Sequence, residues 1–446
     1  MEKKRGISKI GLIALVVSSS IGSGIFGITN DLAMSAAPGP AIIAWIIVGI
    51  GILALVLSLN NLGAKRPDLD GGIFGYAEAA FGKLGGFISG WGYWLSAWLG
   101  NVAFATMLMS AIGEFIPAFK GGQNIPSILL ASVFIWVLTF LVNNGIESAS
   151  FINTIVTICK LVPLFLFMVI ALVSFHVDIF SADFWGNVSS SLQSGASVSL
   201  WSQIKGCLMV MMWVFVGIEG ASVLANRAEK RSDAQKASVI GLLSLLVIYV
   251  LASLLPYGVM SQAELMALPQ PAMANILRYM VGEWGAAFIN IGLIISIIGC
   301  WLSWTMLPVE TTLLMSRDGM LPKSWGKVNR KQAPSYSLFI TAALTNVFLL
   351  TFLVTDYAYQ FAYSMCTAAI LICYLLVGIY QMIYSYQQKD NKQLFIGAVA
   401  TAFQIIGITL AGFAYVLLCS IAYLPGFYFY LRACKENNYQ ISNRQK

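Results

Sequence analysis

Charge is scarce in this chain: 10% of its 446 residues are Asp, Glu, Lys or Arg, against 58% hydrophobic ones. A soluble globular chain carries about 25% charged residues, because its surface must be wetted. The deficit excludes a soluble enzyme, a disordered chain and a DNA-binding domain. Histidine is nearly missing as well. The one histidine, His176, falls between hydrophobic stretches, so no His-based metal cluster and no H-E-x-x-H hydrolase site can be assembled. The seven cysteines form no C-x-x-C pair and lie in or beside apolar segments, where free cysteine acts as a small hydrophobe. No disulfide, metal site or cofactor is therefore expected. What remains is apolar, with a mean hydropathy of +0.79. A helix crossing a ~30 Å hydrocarbon core needs about 20 residues, so twelve would use roughly 250. The expected fold class is an all-α polytopic membrane protein.

Charge-free runs mark the spans. Residues 41–64, 237–263, 284–309, 332–355 and 357–388 each suffice for one helix, and 393–431 for two short ones joined by a turn near Gly412. Twelve helices are expected near 9–33, 41–63, 84–113, 125–143, 150–174, 201–225, 236–258, 285–316, 335–355, 359–386, 393–412 and 415–432. The first has a basic start but no small-residue cleavage site, so it reads as a span rather than a signal peptide. With the N-terminus cytoplasmic, the basic residues sort to one side. Lys3, Lys4, Arg5 and Lys9, the loops around Lys65, Arg227, Arg317 and Lys389, and the C-terminal tail all fall inside. Lys120 and Arg278 fall outside, and Lys160 and Lys205 stay within hydrophobic segments. This is the asymmetry the positive-inside rule requires. The net charge of +7 is thus topological, and no nucleic-acid partner is implied.

Two spans carry interruptions. The first contains Ser20-Ile21-Gly22-Ser23-Gly24, and the sixth contains Trp213 to Val216 followed by Gly217-Ile218-Glu219. Gly-interrupted hydrophobic segments at matching positions of two halves point to a transporter built from an inverted repeat. The repeats would be residues 9–174 and 201–386 of a single domain, with the helices of 393–432 outside them. Unwound backbone is tolerated at membrane depth only where it lines a cavity. Gly22 and Gly24 free N–H groups that, with the Ser23 hydroxyl, can hold a carboxylate at a helix N-terminus. Carbonyls of Ser20, Trp213 and Val216 can accept from an ammonium. Small-residue helix packing is the competing reading of Gly-Ser-Gly. The second break, which carries an acid, favours the clamp.

These residues resemble a known family. Ile21-Gly-Ser-Gly-Ile-Phe26, Gly71-Gly72 with Gly75-Tyr76-Ala77-Glu78, Trp94-Leu-Ser-Ala-Trp-Leu-Gly-Asn101, Gly217-Ile-Glu219 and Asp318-Gly-Met-Leu-Pro322 are similar to motifs of the basic amino acid/polyamine antiporters, in the amino acid–polyamine–organocation superfamily. The loop from Glu229 to Ala237 is similar to that of the arginine/ornithine antiporters. The resemblance implies a five-plus-five inverted-repeat fold, leucine-transporter-like, and exchange by alternating access. Carried over from arginine/agmatine antiporters, it implies that Ser23 and Gly24 take the substrate carboxylate and that the carbonyls of Ser20, Trp213 and Val216 take the α-amino group. Ser96, Ala97, Asn101 and Cys366 would meet the distal end of the side chain, and Trp304 would stack on it. Tyr93, Glu219 and Tyr374 match distal gate positions, and Trp213 a proximal gate. Cys366 stands where those antiporters have a serine, and Ser96-Ala97 where they have alanine and cysteine, so the distal pocket can fit another substrate.

Two ionisable residues stand out. Glu219 is an acid near the expected midplane, where ionisable groups default to function, and gating or proton coupling is the role expected of it. Lys160 lies about ten residues into the fifth helix, where an unwound first helix offers carbonyls. In related members a lysine there replaces a sodium ion, which implies sodium-independent transport; a snorkelling lysine is the alternative. The functional expectation is an antiporter and not an enzyme, exchanging cationic amino acids, arginine in for ornithine out, in a bacterial-type cytoplasmic membrane with both termini inside. Rival readings are amino acid/amine exchange (lysine/cadaverine, histidine/histamine or ornithine/putrescine) and a proton-coupled permease. The expected partners are small amino acids and the lipid bilayer, with a second copy of the chain as the candidate protein partner.

Overall fold

The computed structural model describes residues 9–69, 72–186, 199–219, 231–354 and 358–444. The basic start (Lys3, Lys4, Arg5), Gly71, the second half of the sixth helix and the start of the Glu229–Ala237 loop lie outside them. Among the described residues the chain is helical. The elements are α1 (Lys9–Ser20), α2 (Gly24–Ala33), α3 (Pro38–Lys65), α4 (Gly72–Gly113), α5 (Ile125–Asn143), α6 (Ile146–Val173), α7 (Val177–Ala182) and α8 (Leu200–Trp213). They continue with α9 (Arg231–Leu254), α10 (Gln262–Ala267), α11 (Ala272–Val281), α12 (Glu283–Arg317), α13 (Ser335–Leu349), α14 (Ala358–Gln387), α15 (Asn391–Ala411) and α16 (Phe413–Arg444).

Local chemistry sets the ends. Proline stands in the first positions of α3 and α5, where a missing N–H costs nothing. Asn124 and Ser199 cap α5 and α8 by accepting from Ser127 and Ser202 N–H groups. Gly412, at φ +89°, makes the expected turn between α15 and α16. Gly82, at φ +69°, divides α4, so the glycine-rich stretch expected before the third span is itself a helix at 72–81. The ninth span departs from 335–355: α13 ends at Leu349 and tightens into a 3₁₀ turn, Leu350–Leu353.

Eight of the described helices are long and apolar enough to cross a membrane. The first and sixth expected spans fall short of that length because each is halved by a break, α1 having 12 residues, α2 10 and α8 14. The outer surface is apolar. On α5, Ile125, Leu129, Val133, Val137 and Phe140 form an exposed stripe at helical spacing, and on α16 Leu417, Ile421, Leu424, Tyr428 and Leu431 form another. Polar groups turn inward instead, among them Ser23, Ser96, Asn101, Lys160 and Glu219. An apolar outside around a polar inside is the arrangement a lipid solvent imposes, and the protein is a multi-pass membrane protein. At the centre, α14 runs along α4, α12 lies between α4 and α6, and α1 rests on α9.

Candidate functional site

The first break lies between Ser20 and Gly24. The Gly22 N–H turns back to the Ser20 carbonyl at 3.0 Å, and the Phe26 N–H donates to Ser23 at 3.1 Å. Ser23 occupies the N-cap position of α2, yet its side chain makes no capping bond, and its buried hydroxyl has no hydrogen-bond partner among the described residues. The first N–H groups of a helix have no intrahelical acceptor. Donors and the positive end of the α2 dipole therefore converge here. The glycines let side chains pack close: a Cβ on Gly22 would stand 2.9 Å from the Phe104 ring, and one on Gly24 2.8 Å from Trp213 Nε1, so either ring would have to shift.

The second break begins where α8 ends, at Trp213, and runs in tight turns to Glu219. Gly217 has φ +106°, a conformation open only to glycine, and a Cβ there would stand 2.7 Å from the Ser19 carbonyl oxygen. The two breaks thus touch through their backbones. The Ser19 hydroxyl donates to the Gly217 carbonyl at 3.0 Å. From α9, the Tyr249 hydroxyl reaches the Ser20 carbonyl at 2.9 Å and the Val214 carbonyl at 2.7 Å. One O–H donates to one acceptor at a time. Tyr249 can therefore release Ser20 to an incoming ammonium and stay bonded to Val214.

These segments, with α4, α12 and α14, meet around a narrow cavity of about 20 Å³. Ser20, Ser23, Gly24, Ser96, Ala97, Trp213, Val216, Trp304 and Cys366 all line it, as the sequence led us to expect. Trp213 lies across it from Gly24 to Gly100, a Cβ on which would be 3.4 Å from the indole, and stacks on Tyr363 at 6.1 Å between centroids. Trp304 donates its indole N–H to the Ser19 carbonyl at 3.3 Å and packs on Tyr93 at 5.9 Å. At the far wall, Ser96 Oγ and Cys366 Sγ are 3.1 Å apart, so the two departures from the family pattern bond to each other.

Asn101 stands apart from its expected place. It is not among the cavity-lining residues, and its amide nitrogen donates to the Trp304 carbonyl at 3.4 Å. Pro308, inside α12, has no N–H to offer the carbonyl four residues before it, which is that of Trp304. Asn101 fills the vacancy and so holds the stacking tryptophan from behind.

The expected gate residues form a second cluster. Glu219 accepts from the Gly217 N–H at 3.1 Å and from the Tyr374 hydroxyl at 2.6 Å, and the Tyr93 hydroxyl lies beside the same carboxylate. Lys160 is fully buried, and its ammonium donates to the Ile21 carbonyl in the first break at 2.9 Å. It is a buried ligand of unwound backbone, not a snorkelling side chain.

Several neighbours were not anticipated. Ser19, Phe104, Val214 and Cys300 also line the cavity. Phe104 follows Gly100 by four residues and Cys300 precedes Trp304 by four, so helical periodicity alone could have found both. The Tyr359 hydroxyl is buried beside Ser23 and Trp213. A second buried acid, Asp31, stands near the far end of α2.

The cavity has the chemistry to hold a zwitterion: among the described residues Ser23 Oγ and Trp213 Nε1 are donors without partners, both broken segments bring carbonyls, and aromatic faces lie between. Comparison with known proteins agrees with it. The amino acid permease family profile matches residues 7–431. An arginine/ornithine antiporter of Latilactobacillus sakei is 60% identical over 99% of this chain and 93% of its own length. One from Lactococcus lactis subsp. cremoris is 46% identical over 100% of this chain and 87% of its own. An arginine/agmatine antiporter of Chlamydia caviae is 37% identical over 98% and 91%. On this full-length match the chain belongs to the amino acid permease family.

Proposed function

We propose that this protein exchanges cationic amino acids across the cytoplasmic membrane by alternating access, taking up arginine against ornithine. The observation that carries the reading is the juxtaposition of the two breaks: Ser23 and Trp213 line one narrow cavity, and among the described residues Ser23 Oγ and Trp213 Nε1 are buried donors without hydrogen-bond partners. In this reading the substrate carboxylate sits on Ser23 and the N–H groups at Gly24. Its ammonium takes the carbonyls of Ser20, Trp213 and Val216. The side chain runs under Trp304 toward Ser96, Ala97 and Cys366, with Asn101 supporting the tryptophan. A cation over an indole gains about 0.5–2 kcal/mol. Arginine and ornithine each carry net +1, so one-for-one exchange moves no net charge.

The finer architecture belongs to the same reading. Twelve spans form an inverted repeat of 9–174 and 201–386, with 393–432 outside it, both termini are cytoplasmic, and a second copy completes a homodimer. Eight apolar helices, two shorter apolar ones (Cys159–Val173 and Ser335–Leu349) and the two spans that carry the breaks support a count of twelve. Trp213 is the gate on one side of the substrate, and Tyr93, Glu219 and Tyr374 are the gate on the other. The Lys160 ammonium, 2.9 Å from the Ile21 carbonyl, does what a bound cation would do, so exchange needs no sodium.

The relatives named arginine/agmatine antiporters favour a second reading, exchange of an amino acid for its amine, for which the carboxylate clamp must be dispensable. Proteoliposomes preloaded with ornithine and offered labelled arginine, lysine, agmatine or putrescine in sodium-free buffer separate the two. Arginine uptake that requires internal ornithine is the expected result. Faster exchange with agmatine selects the amine reading. Equal uptake into empty vesicles, or an absolute need for sodium, overturns the antiport mechanism proposed here.

A further inference from the structure

Asp31 has no part in the exchange site described above. It lies seven residues past Gly24 on α2, roughly 10 Å along the helix from the first break. Its residue is 7% exposed, and among the described residues carboxylate oxygen Oδ2 has no hydrogen-bond partner. Oδ1 accepts from Gln270 Nε2 at 3.4 Å. That nitrogen is shared with the Gly27 carbonyl at 3.3 Å and Asn30 Oδ1 at 3.5 Å. Bonds to an ionised group are normally shorter, about 2.7–2.9 Å. A link that only tied Gln270 to α2 would need no charge, because an asparagine oxygen accepts the same bond.

Two tyrosines lie within electrostatic reach of Asp31. Its carboxylate acts electrostatically on both Tyr359 and Tyr363, whose rings are 5.2 Å apart. Tyr359 lies beside Ser23 and Trp213, and Tyr363 stacks on Trp213. A file therefore runs from Asp31 through the tyrosine pair to the roof of the cavity. A buried carboxylate within reach of two aromatic rings is the chemistry that recognises an alkylguanidinium or alkylammonium group. Ionisable groups at membrane depth are rare, and by default they mark a ligand pathway.

We propose that Asp31, with Tyr359 and Tyr363, forms an outer cation-recognition station that captures the charged side chain of an entering substrate before Trp213 yields. The proposal rests on the exchange reading and deepens it: Asp31 selects for charge on the external side. The test uses right-side-out membrane vesicles loaded with ornithine. Asp31→Asn raises the KM for external arginine at least tenfold, leaves the maximal rate within about twofold, and leaves the KM for internal ornithine unchanged. External half-inhibition by citrulline, an uncharged isostere of arginine, does not move. Asp31→Glu restores the external affinity, and Asp31→Ser serves if the asparagine variant does not reach the membrane. An unchanged external KM, or an equal rise on both faces, overturns the station and leaves the exchange reading standing. Wild-type vesicles that exchange no arginine for ornithine overturn the exchange reading itself.

Discussion

The two broken spans solve one problem with opposite charges. At the first break the freed group is a carbonyl, that of Ile21 just beyond the end of α1, and the Lys160 ammonium holds it at 2.9 Å. At the second the freed group is an N–H, that of Gly217, and the Glu219 carboxylate holds it at 3.1 Å. In lipid each orphaned backbone group would cost several kcal/mol. A cation at a helix C-terminus and an anion on exposed N–H groups are the pairings that helix dipoles favour. The difference lies in what else each charge touches. Lys160 lies within electrostatic reach of Cys300 on α12, whereas Glu219 binds Tyr374 of α14 and lies beside Tyr93 of α4. Each charge props unwound backbone, and Glu219 is tied through the two tyrosines to α4 and α14 as well.

The largest expected effect breaks the contact between the two breaks. In Gly217→Ala the new Cβ meets the Ser19 carbonyl, a backbone atom with nowhere to go, at 2.7 Å, and φ +106° is strained for any L-residue. Such strain costs about 1–3 kcal/mol. Exchange should fall below a tenth of wild type, and the thermal midpoint in detergent should drop by several degrees. Gly24→Ala is the control on the other break. Its Cβ meets the Trp213 side chain, which can swing. Folding should survive, while affinity for the substrate carboxylate falls. If both variants lose stability equally, the backbone contact is not what joins the breaks.

Exchanging the props is the next test in size. Lys160→Met leaves the Ile21 carbonyl buried without its donor, at about 1–3 kcal/mol. It should lose both stability and at least nine-tenths of the exchange. Glu219→Gln keeps an oxygen for the Gly217 N–H and the Tyr374 hydroxyl and removes only the charge. Stability should stay within about 1 kcal/mol of wild type, while the exchange rate drops and its pH profile changes. Thermal midpoints and proteoliposome rates on the same preparations decide the matter. A Glu219→Gln protein that keeps the wild-type rate and profile would falsify its coupling role.

How much of this was legible beforehand depends on the range of the signal. Spans were readable because charge-free runs are local, and the turn at Gly412 was readable because one glycine sets it. The breaks were readable too, since Gly22, Gly24 and Gly217 interrupt apolar periodicity within a few residues. Tyr249, Tyr359 and Asp31 matter through partners brought from distant helices, and no local pattern announces that. Asn101 shows the boundary between the two cases. Pro308, four residues after Trp304, already implied a bare carbonyl, but only the packing of α4 on α12 shows which side chain fills it. The eight residues from Cys366 to Cys373 look alike in composition, yet Cys366 meets Ser96 in the cavity while Cys373 Sγ lies 3.1 Å from the Ser89 carbonyl.

The smallest effect concerns how the outer half of the first span is held. Asn30 donates to the Leu265, Met266 and Leu268 carbonyls, and Gln262 to the Ala33 carbonyl at 2.8 Å, so the segment around α10 clamps α2. That segment begins in a capping box: Glu264 accepts from the Ser261 N–H at 2.8 Å and its hydroxyl at 2.6 Å. The Ser261 hydroxyl, and then its N–H, pull the Glu264 carboxyl below the ordinary glutamate range. A depressed folded value means that the stabilisation is complete above the unfolded value and is lost as pH falls through the folded one. Because the group is largely exposed, solvent screening limits the gain to a few tenths of a kcal/mol. Glu264→Gln should therefore melt slightly below wild type at pH 7, and the gap should close on acidification as wild-type Glu264 takes up its proton. External arginine affinity should weaken slightly while internal ornithine affinity holds, because the clamp touches α2 and not Glu219. A melting gap that ignores pH would mean that the capping carboxylate contributes shape and not charge, and the clamp would have to be sought in Asn30 alone.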